Sequence, residues 1–564
     1  MQRRRWNIWT MLAIFTGLIV SLVAAPTALA RPNDPPPSSS AERLVAGMQP
    51  GWNLGNTLDS VGADETAWGN PRVTPELIRA IKREGFNSIR IPVTWGQYDS
   101  GAPDYTIDPE VLDRVAEVVD WSLDAKLAVL LNVHHDSWLW LNQTPNEPEA
   151  KEHFLALWRQ IADRFRDYPR TVLLESINEP QFAGVTDEQA YAVLDDLNQA
   201  FVHEVRATGG PNATRVLVLP TLHTDSGQAR LDSLLETFTA LDDPNLAATF
   251  HYYGYWPFSV NVAGGYRFDV AAQNDMLGAF DRVKTTLRDH GIPVILGEYG
   301  LLGFDRHTGT IEQGEKLKFF EMFGYLARTH DITTMLWDNG QHFNRTTHDW
   351  RDPALVDQIK SSWKVRSGTA SSDLLFVEDG NTVDQSLTIN RNGRNLTGVW
   401  LDGKQLKKGR DYTLIGDQIT FKESFLQRVA GDGEYGVRAV LSISFNRGVP
   451  WEVNVIRYAT PGLSSTTGTT SNFLIPTQFN GDRLATMEAK YEDGSFAGPH
   501  NWTSFKEFDA TFAPEAGGIR IREAFFKEVA NPSAVILTFH FWSGKQLTYS
   551  LSVDGDVVTG TPLP

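Results

Sequence analysis

The sequence predicts a (β/α)8 TIM barrel followed by two all-β sandwich domains. Between Gly51 and Trp363, short apolar β-like segments alternate with amphipathic helical segments through eight rounds, which is the pattern of a parallel sheet wrapped by helices. After Trp363 the chain changes to short alternating strands punctuated by turn dipeptides. The length of 564 residues also exceeds what one domain usually occupies.

Eight short apolar segments are predicted to be the barrel strands. They are Met48–Leu54, Ser88–Val93, Ala128–His134, Val172–Asn178, Arg215–Pro220, Ala247–Tyr252, Pro293–Gly297 and Thr333–Trp337. The first helix is predicted over Thr74–Glu84, since Thr74 supplies an N-cap and Pro75 a first-turn proline, and Asp108–Ala125 begins in the same way. Because the active sites of such barrels lie at the C-terminal ends of the strands, functional side chains are expected there.

Two linker-like segments divide the remainder of the chain. Ser367–Ser372 precedes a region long enough for one immunoglobulin-like sandwich of ~90 to 100 residues. Gly462–Ser471 precedes the final region, where Val535–Trp542 and Gln546–Val553 are predicted to form a hairpin through Ser543–Lys545. No internal repeat is recognised between the two modules. The predicted domain bounds are 41–366, 373–460 and 472–564.

The first thirty residues are predicted to be a signal peptide. Arg3, Arg4 and Arg5 precede an apolar stretch from Trp6 to Ala25, and Ala28-Leu29-Ala30 provides a small-x-small cleavage site. An uncleaved membrane anchor is the alternative, because the apolar stretch is long for a signal peptide. Residues 31–40 are rich in Pro and Ser and are expected to form a disordered tether. We therefore expect a secreted, extracellular protein without membrane contact after cleavage.

The composition restricts the classes of partner. Lys and Arg total 51 against 69 Asp and Glu, and the net charge of −18 argues against nucleic acid or anionic membranes. Cysteine is absent, which excludes disulfides and thiol nucleophiles. The 17 Trp, 15 Tyr and 30 Phe residues favour a sugar ligand, since aromatic rings hold the apolar faces of sugars. We expect a neutral polysaccharide partner, no cofactor, no metal and a monomer.

Two glutamates at predicted strand ends form the strongest candidate site. Glu179 follows the fourth strand in Ser-Ile-Asn-Glu-Pro, and Glu298 follows the seventh in Gly-Glu-Tyr-Gly. A carboxyl pair in a barrel mouth is what glycoside hydrolysis requires: one carboxyl with a raised pKa protonates the leaving oxygen, and the other is ionised. Either residue alone would be read as a loop salt bridge, but two residues in distinctive motifs favour catalysis.

These two motifs resemble those of glycoside hydrolase family 5, and further matches follow in order along residues ~41–366. Gly51–Leu58, which contains Asn56, resembles the first-strand signature of the family. Glu65–Pro71, which contains Trp68, is similar to the cellulase subgroup that includes xyloglucanases. The remaining matches are Arg90 on the second strand, His134 and His135 on the third, His251 and Tyr253 on the sixth, and Trp337 on the eighth.

The resemblance implies roles for the matched residues. Glu179 would be the acid/base and Glu298 the nucleophile, which implies retention of configuration and carboxyls ~5 to 5.5 Å apart. Arg90 and Tyr253 would donate hydrogen bonds to Glu298 and favour its ionised form. Asn178 would bond the sugar 2-hydroxyl, an interaction that strengthens as the ring becomes oxocarbenium-like.

The histidines and tryptophans have structural alternatives. His134 and His251 could be structural hydrogen-bonding groups, although their positions in the family favour a role in the site. A zinc site of His134, His135 and Asp136 is disfavoured, because neighbouring strand residues point to opposite faces. Trp337 is placed for stacking under a glucose ring. Candidate platforms for outer sugar rings, each with a loop-core alternative, are Trp68, Trp138, Trp140 and Trp256.

The two C-terminal regions resemble known modules. Gly403–Phe421 resembles the immunoglobulin-like X-type modules of bacterial cellulases, for which a spacer role is favoured over polymer binding. The final region looks like a family 46 carbohydrate-binding module with Tyr491, Trp502 and Trp542 as candidate platform residues. Trp502 is favoured because it lies in a polar loop, whereas Trp542 lies on a predicted strand and is a candidate for the core. Because this module can fold back towards the cleft in such enzymes, Trp502 is a candidate to complete the substrate site.

The sequence therefore indicates a secreted, retaining endo-β-1,4-glucanase that hydrolyses internal bonds of cellulose-type glucans, xyloglucan or both. A β-mannanase and a strictly xyloglucan-specific endoglucanase are the alternatives within the class. A non-catalytic polysaccharide-binding protein is the alternative outside it. The preference among cellulose, xyloglucan, mixed-linkage glucan and mannan stays open, because it depends on the shape of the loops around the cleft.

Overall fold

The computed structural model describes residues 39–143 and 148–564. The predicted signal peptide and residues 31–38 of the predicted tether lie outside the described residues. Ser40, predicted to end the tether, instead begins helix α1 (Ser40–Gly47), which covers the end of the barrel where the strands begin. Within the described part of the chain, no helix combines the length and apolarity needed to cross a membrane.

The first part of the chain is a closed barrel of eight parallel strands in sequence order, as predicted. A strand occurs at each of the eight predicted positions, and parallel pairing places all the C-terminal ends at one mouth. The strands are β1 (Gly51–Asn53), β2 (Ser88–Ile91), β3 (Ala128–Asn132), β4 (Val172–Glu175), β5 (Leu217–Pro220), β6 (Leu246–Tyr252), β7 (Val294–Tyr299) and β8 (Thr333–Leu336).

Helices surround the barrel, and their N-terminal caps agree with the sequence. The side chain of Thr74 accepts a hydrogen bond from the Leu77 N–H at 3.3 Å, and that of Asp108 accepts one from Glu110 at 2.9 Å. The helices are α2 (Pro75–Arg83), α3 (Pro109–Asp124), α4 (Pro148–Arg164), α5 (Asp187–Ala207), α6 (Gln228–Leu241), α7 (Trp256–Ser259), α8 (Val270–Thr286), α9 (Leu302–Arg306), α10 (Gln313–Thr329) and α11 (Pro353–Ser362).

The second module is a sandwich of a five-stranded and a four-stranded sheet. Its elements are β9 (Thr369–Ala370), β10 (Leu374–Glu378), β11 (Gln385–Asn390), β12 (Leu396–Leu401), β13 (Lys404–Gln405), β14 (Tyr412–Ile415), β15 (Gln418–Phe421), α12 (Glu423–Ala430), β16 (Gly436–Phe445) and β17 (Trp451–Tyr458). The strand orders of the two sheets are β10-β17-β16-β12-β13 and β14-β15-β11-β9. The reading of Ser367–Ser372 as a linker is wrong in part, because β9 pairs with β11 and both of its residues are buried.

The third module is likewise a sandwich of a five-stranded and a four-stranded sheet. Its elements are β18 (Gly462–Leu463), β19 (Thr466–Thr469), β20 (Phe473–Gln478), β21 (Leu484–Tyr491), β22 (Phe512–Glu515), β23 (Gly518–Ile521), α13 (Glu523–Phe526), β24 (Ser533–Phe541), β25 (Gln546–Asp554) and β26 (Val557–Pro562). The strand orders of the two sheets are β19-β26-β25-β24-β21 and β18-β20-β23-β22. The predicted hairpin is confirmed as β24–β25. The predicted start at residue 472 is too late, because β18 and β19 pair with β20 and β26.

The two modules also repeat one another, which the sequence analysis missed. Tyr412 pairs with Phe421 in the β14–β15 hairpin, and Phe512 pairs with Ile521 in the β22–β23 hairpin. A short helix follows each hairpin, α12 and α13, and leads to a long antiparallel pair, β16–β17 and β24–β25. Some equivalent residues are also identical: Ile419 and Ile519, Glu423 and Glu523, Phe425 and Phe525, Val429 and Val529, and Ala430 and Ala530. The sequence therefore held a signal of the repeat, although most of the equivalent side chains differ.

The third module contacts the loops that follow β6 and β7. The Asn261 Nδ2 donates to the carbonyl of Ala485 at 3.0 Å, and the Phe508 N–H donates to the carbonyl of Asn261 at 3.0 Å. Arg306 forms an ion pair with Glu507 at 2.9 Å. Since loops after strands line the mouth of a barrel, the third module lies beside that mouth.

Candidate active site

Glu298 lies near the end of β7 and is 4% exposed. Arg90 Nη1 donates to its Oε1 at 2.6 Å, and the Tyr253 hydroxyl donates to its Oε2 at 2.7 Å. Burial and the negative charge of Glu298 raise the pKa of the Tyr253 phenol well above its ordinary value, so the hydroxyl stays protonated. Both oxygens of the carboxylate are therefore held by donors from other parts of the barrel, Arg90 on β2 and Tyr253 directly after β6.

Arg90 is fully buried on β2, and all five of its N–H groups are used. Two go to Glu175 at 2.7 and 2.8 Å, and one each to Asn53 (3.0 Å), Asn178 (2.8 Å) and Glu298 (2.6 Å). Burial lowers the pKa of the guanidinium, but the charges of Glu175 and Glu298 outweigh it, so the pKa lies above its ordinary value. The cation is thus permanently charged and fixed in orientation.

Three residues of this network were not predicted: Glu175, Asn53 and Asn132. Asn53 Nδ2 donates to the carbonyl of Gly297 at 2.8 Å, which ties β1 to β7 beside Glu298. Asn132 Nδ2 lies 3.3 Å from Glu175 Oε1. The sequence holds a signal for Glu175, because it ends the apolar strand Val-Leu-Leu-Glu and a carboxylate in a buried strand must have a charged partner.

Glu179 follows β4 with a positive φ of 39°, a backbone conformation rare for a residue with a side chain. Its side chain is 42% exposed, and its Oε1 lies 2.9 Å from His251 Nδ1. Burial raises the pKa of this carboxyl, but the hydrogen bond from His251 and nearby positive charge lower it further, so the net pKa is below its ordinary value. The expectation of a raised pKa at the acid is not met here, because His251 favours the ionised form.

His251 lies between the two glutamates. Its Nδ1 is 2.9 Å from Glu179 Oε1 and 3.5 Å from Glu298 Oε2. One ligand atom from each of the three side chains lies within 4.8 Å of the others. The residues predicted to be the catalytic pair are therefore neighbours in space, although they belong to different strands.

His134 is 1% exposed and lies on the other side of Glu298. Asn132 Nδ2 donates to its Nδ1 at 3.0 Å, which assigns the ring proton to Nε2, 3.9 Å from Glu298 Oε1. Burial and the neighbouring His135 and Arg90 keep the pKa of His134 well below its ordinary value, so the ring is neutral. Its plane is parallel to the indole of Trp337, with 6.0 Å between the ring centres.

Trp337 follows β8 and is 9% exposed, with its ring against the backbone of Gly55. Trp68 lies in the loop after β1, is 40% exposed, and has its ring centre 5.1 Å from that of His135. The backbone carbonyl of Asn56 accepts a hydrogen bond from Asn70 at 2.9 Å. All three predicted residues therefore lie in loops at the C-terminal ends of strands, where barrel active sites form.

The sequence that forms this arrangement of a glutamate pair, a buried arginine and a Tyr–Glu contact also matches the model of a known protein family. A model described as cellulase (glycosyl hydrolase family 5) matches residues 53–343. The chain belongs to glycosyl hydrolase family 5. Models for a carbohydrate binding domain X2 and for the carbohydrate binding domain CBM46 match residues 370–455 and 459–561. The resemblances drawn from the sequence are confirmed for all three parts of the chain.

Several relatives of this family 5 chain are similar over its whole length. Endoglucanase B of Paenibacillus lautus is 52% identical over 568 residues, covering 99% of each chain. The full-length tri-modular endo-β-1,4-glucanase B of Bacillus halodurans is 49% identical with a TM-score of 0.91, covering 94% of this chain and 100% of that one. A tri-modular family 5 (subfamily 4) enzyme of Bacillus licheniformis, complexed with cellotetraose, is 31% identical with a TM-score of 0.77, covering 93% and 100%. The chain is a family 5 endoglucanase whose two C-terminal modules belong to carbohydrate-binding domain families.

One expectation about the histidines of this family 5 enzyme is wrong. His134 and His135 do not point apart: their ring centres are 4.4 Å from one another. The physical reason is that β3 ends at Asn132, so strand alternation no longer applies to the two residues. Trp138 Nε1 donates to His135 Nδ1 at 2.7 Å, and His135 Nε2 faces Asp59 at 3.5 Å.

Two groups of side chains in the described residues have the spacing of metal ligands: Asp59 with His134 and His135, and Glu179 with His251 and Glu298. The second group is the glutamate pair itself. Asp136, considered as a ligand from the sequence, instead accepts the N–H groups of Trp95 and Gly96 and the Trp140 indole, at 2.7 to 2.9 Å. It therefore joins two loops of the mouth.

The remaining predicted aromatic residues lie in different surroundings. Trp502 is 56% exposed, and its ring centre lies 6.2 Å from that of Trp256, which is 39% exposed and follows β6.

Trp542 is partly exposed, with Arg267 4.6 Å from its ring, so it belongs to the junction with the barrel and not to the core. Tyr491 packs against the core of the third module. Trp138 is 38% exposed, whereas Trp140 is stacked on His153.

Proposed function

We propose that this endoglucanase hydrolyses internal β-1,4-glucosidic bonds of cellulose-type glucans and xyloglucan with retention of configuration. Glu298 is the nucleophile and Glu179 the acid/base in this proposal. The observation that carries it is the placement of oxygens of both carboxylates within 4.8 Å of each other around His251. Retaining enzymes have carboxyls ~5 to 5.5 Å apart and inverting enzymes ~6.5 to 9.5 Å, so the separation supports double displacement.

In the first step Glu298 attacks the anomeric carbon, the bond to the leaving oxygen breaks, and the proton of Glu179 goes to that oxygen. The attacking carboxylate needs a fixed orientation, which the donors Arg90 and Tyr253 supply. A glycosyl ester on Glu298 and a free chain end result. In the second step ionised Glu179 takes a proton from water, which attacks the ester and releases Glu298.

The surrounding residues assist the sugar in the transition state. Arg90 occupies Oδ1 of Asn178 at 2.8 Å, which leaves the Nδ2 donor of Asn178 for the 2-hydroxyl of the sugar. Trp337 offers its ring to the apolar face of the same sugar. His134 is neutral, and its Nε2 lies 3.9 Å from Glu298 Oε1, which is too far for a hydrogen bond to that carboxylate, so in this proposal its N–H donates to a hydroxyl of the bound sugar.

Trp502 extends the cleft in this proposal, because it meets Trp256 across the junction of the third module and the barrel. Lys506 holds the loop that carries it, donating to the carbonyls of Pro499 and Thr503 at 2.9 Å each. We expect Trp502→Ala to reduce kcat/KM on xyloglucan several-fold, since the variant has no ring to pack on the apolar face of a bound sugar. Activity on a short aryl cellobioside should stay unchanged. Equal activity of the two proteins on xyloglucan would remove Trp502 from the substrate site.

The catalytic assignment is tested by Glu298→Ala. We expect loss of hydrolysis of a soluble glucan, with circular dichroism and the unfolding midpoint retained, and we use the exposed Glu76→Ala as the matched control. Retained hydrolysis would exclude Glu298 as the nucleophile. Proton NMR of the first products should show the β anomer before mutarotation, and an initial α anomer would contradict retention.

A panel of carboxymethylcellulose, xyloglucan, mixed-linkage glucan and mannan tests the substrate. We expect the glucans to be cleaved to mixtures of oligosaccharides of intermediate length, as an endo-acting enzyme produces. Preference for mannan would refute the glucan assignment. Activity on xyloglucan alone would narrow the enzyme to the strict xyloglucanase.

We also propose that the protein is exported, acts as a monomer and uses the second module as a spacer. Export is supported by the three arginines, apolar stretch and Ala-Leu-Ala site at the N-terminus. N-terminal sequencing of protein from the culture medium should begin at Arg31. Light scattering should give the mass of one chain, and the isolated second module should not be retained on cellulose.

A further inference from the structure

A basic cavity of about 470 Å³ lies where the barrel meets the second module. Its barrel side comes from the C-terminal half of α10 and from the chain after α11, and its module side comes from the β11–β12 and β16–β17 turns. Because α10 ends just before β8 begins, the cavity lies towards the end of the barrel opposite the mouth. Its volume is within the ~300 to 1,000 Å³ typical of small-molecule sites.

Among the described residues, the lining of this basic cavity carries five cationic side chains and no acidic one. The five are Arg328, Lys364 and Arg366 on the barrel side, and Arg394 and Arg447 on the module side. None of the five is buried, so a ligand in the cavity can contact each of them. This concentration of positive charge belongs to a chain whose net charge is −18.

Two of the five cations have a partner within the protein. Arg366 donates to both oxygens of Glu321, at 3.0 and 2.7 Å, and its guanidinium carbon lies 4.1 Å from the ring centre of Tyr325. Arg328 Nε donates to the carbonyl of Ser362 at 2.8 Å, at the C-terminal end of α11, where the helix dipole favours a cation. The carboxylate of Glu321 therefore neutralises one charge, and a backbone carbonyl holds another.

The other three cations have no partner in the described part of the chain. The side chains of Lys364, Arg394 and Arg447 make no hydrogen bond or ion pair with any described residue. Burial and the neighbouring guanidinium groups lower the pKa of Arg328 below its ordinary value, although Glu321 opposes this. The cations therefore repel one another, and a bound anion would remove that repulsion.

The two turns that carry the arginines of the second module are fixed by hydrogen bonds to the barrel side. In the β11–β12 turn, Asn392 Nδ2 donates to Glu321 Oε2 at 3.1 Å and to the carbonyl of Ser367 at 2.8 Å. In the β16–β17 turn, the Val449 N–H donates to Ser367 Oγ at 3.1 Å. The backbone on both sides of the cavity is therefore in place before a ligand arrives, which lowers the entropic cost of binding.

We propose that this basic cavity binds a small anion that carries two phosphate groups. Four of its cations have no carboxylate partner among the described residues, and two phosphate groups, with about 1.5 to 2 negative charges each, match that charge. A guanidinium presents its N–H donors in a planar fork that fits phosphate oxygens. Because the unmatched cations come from the barrel and from the second module, the bound anion joins the two. Neither catalytic glutamate contributes to this site.

The test is calorimetric titration of the full-length chain with pyrophosphate in a metal-free buffer of fixed ionic strength, followed by thermal unfolding. We expect one pyrophosphate to bind per chain. We also expect the unfolding midpoint to rise with pyrophosphate concentration, because a ligand that binds only the folded state stabilises it. Sodium chloride at the same ionic strength is the reference, and the rise in pyrophosphate should exceed any rise in sodium chloride.

A double variant, Arg394→Gln with Arg447→Gln, removes the two unmatched charges of the second module. We expect the affinity for pyrophosphate to fall about 10- to 100-fold, since each arginine supplies charge-assisted hydrogen bonds. The matched control, Lys404→Gln with Lys408→Gln, removes the same charge from exposed positions of that module outside the cavity, and its affinity should equal that of the parent. Circular dichroism checks that both variants are folded.

Three results would overturn the proposal. The first is no binding of pyrophosphate by the parent chain. The second is an unchanged affinity in the cavity variant, and the third is an equal loss of affinity in the cavity variant and the control, which would show attraction to the overall charge of the module.

Discussion

Glu175→Gln tests whether the buried carboxylate on β4 holds the arginine that orients the nucleophile. Glu175 accepts two hydrogen bonds from Arg90, at 2.7 and 2.8 Å, and both side chains are completely buried. Glutamine keeps one acceptor oxygen and presents an amide N–H where the second oxygen was. One charge-assisted bond is lost, and Arg90 keeps Glu298 as its carboxylate partner.

The size of the effect follows from these contacts. A hydrogen bond to a charged group contributes about 1.5 to 3 kcal/mol, and removing one partner of a buried ion pair costs about 3 to 5 kcal/mol. We expect the free energy of unfolding of the barrel to fall by about 3 kcal/mol. If the lost bond also loosens the contact to Glu298 in the transition state, kcat/KM falls about 10- to 100-fold, since each ~1.4 kcal/mol is tenfold.

Thermal and denaturant unfolding of the variant, with kcat and KM on a soluble glucan, measure both effects. The matched control is Glu76→Gln, since Glu76 pairs with Arg79 on the surface, where the side chains are 61% and 54% exposed. We expect no measurable change there, because exposed pairs contribute little. An unfolding midpoint and a kcat of Glu175→Gln within experimental error of the parent would refute the role of Glu175.

Further predictions concern the acid/base and the barrel wall. His251→Phe removes the hydrogen-bond donor that lowers the pKa of Glu179, so we expect that pKa to rise. Because the acid must be protonated to act, the alkaline limb of the pH profile of kcat/KM should move to higher pH. An alkaline limb at the same pH as in the parent enzyme would contradict the assignment of Glu179 as the acid. Arg215 is buried, and its guanidinium donates to backbone carbonyls in the segment between α4 and β4. Among them are the carbonyls of Phe165 and Tyr168, each at 2.9 Å. Arg215→Met should lower the unfolding midpoint while kcat at low temperature is kept, since unpaired buried carbonyls cost about 1 to 3 kcal/mol each.

Local patterns were sufficient for the elements of the barrel. The apolar segments placed all eight strands, and the Thr74 and Asp108 caps placed the starts of two helices, because caps and strand composition act within a few residues. The two predicted linkers were wrong in part, because the strands within them depend on hydrogen bonds from residues far away in the sequence. A run such as Ser-Ser-Thr-Thr-Gly is a poor strand by itself, and Thr466–Thr469 becomes β19 only because β26, about ninety residues later, supplies its hydrogen bonds.

The pattern of residues was enough to predict the barrel, the sandwich modules and the position of Glu179 and Glu298 at one mouth, since parallel strands bring their C-terminal ends together. The folded protein was needed to show three further features: the pairing of Arg90 with Glu175, the approach of His134 to His135, and the position of the third module beside the barrel mouth. These contacts depend on distances between side chains from separate strands and modules. Such distances are set by the packing of the whole chain, and no local pattern encodes them.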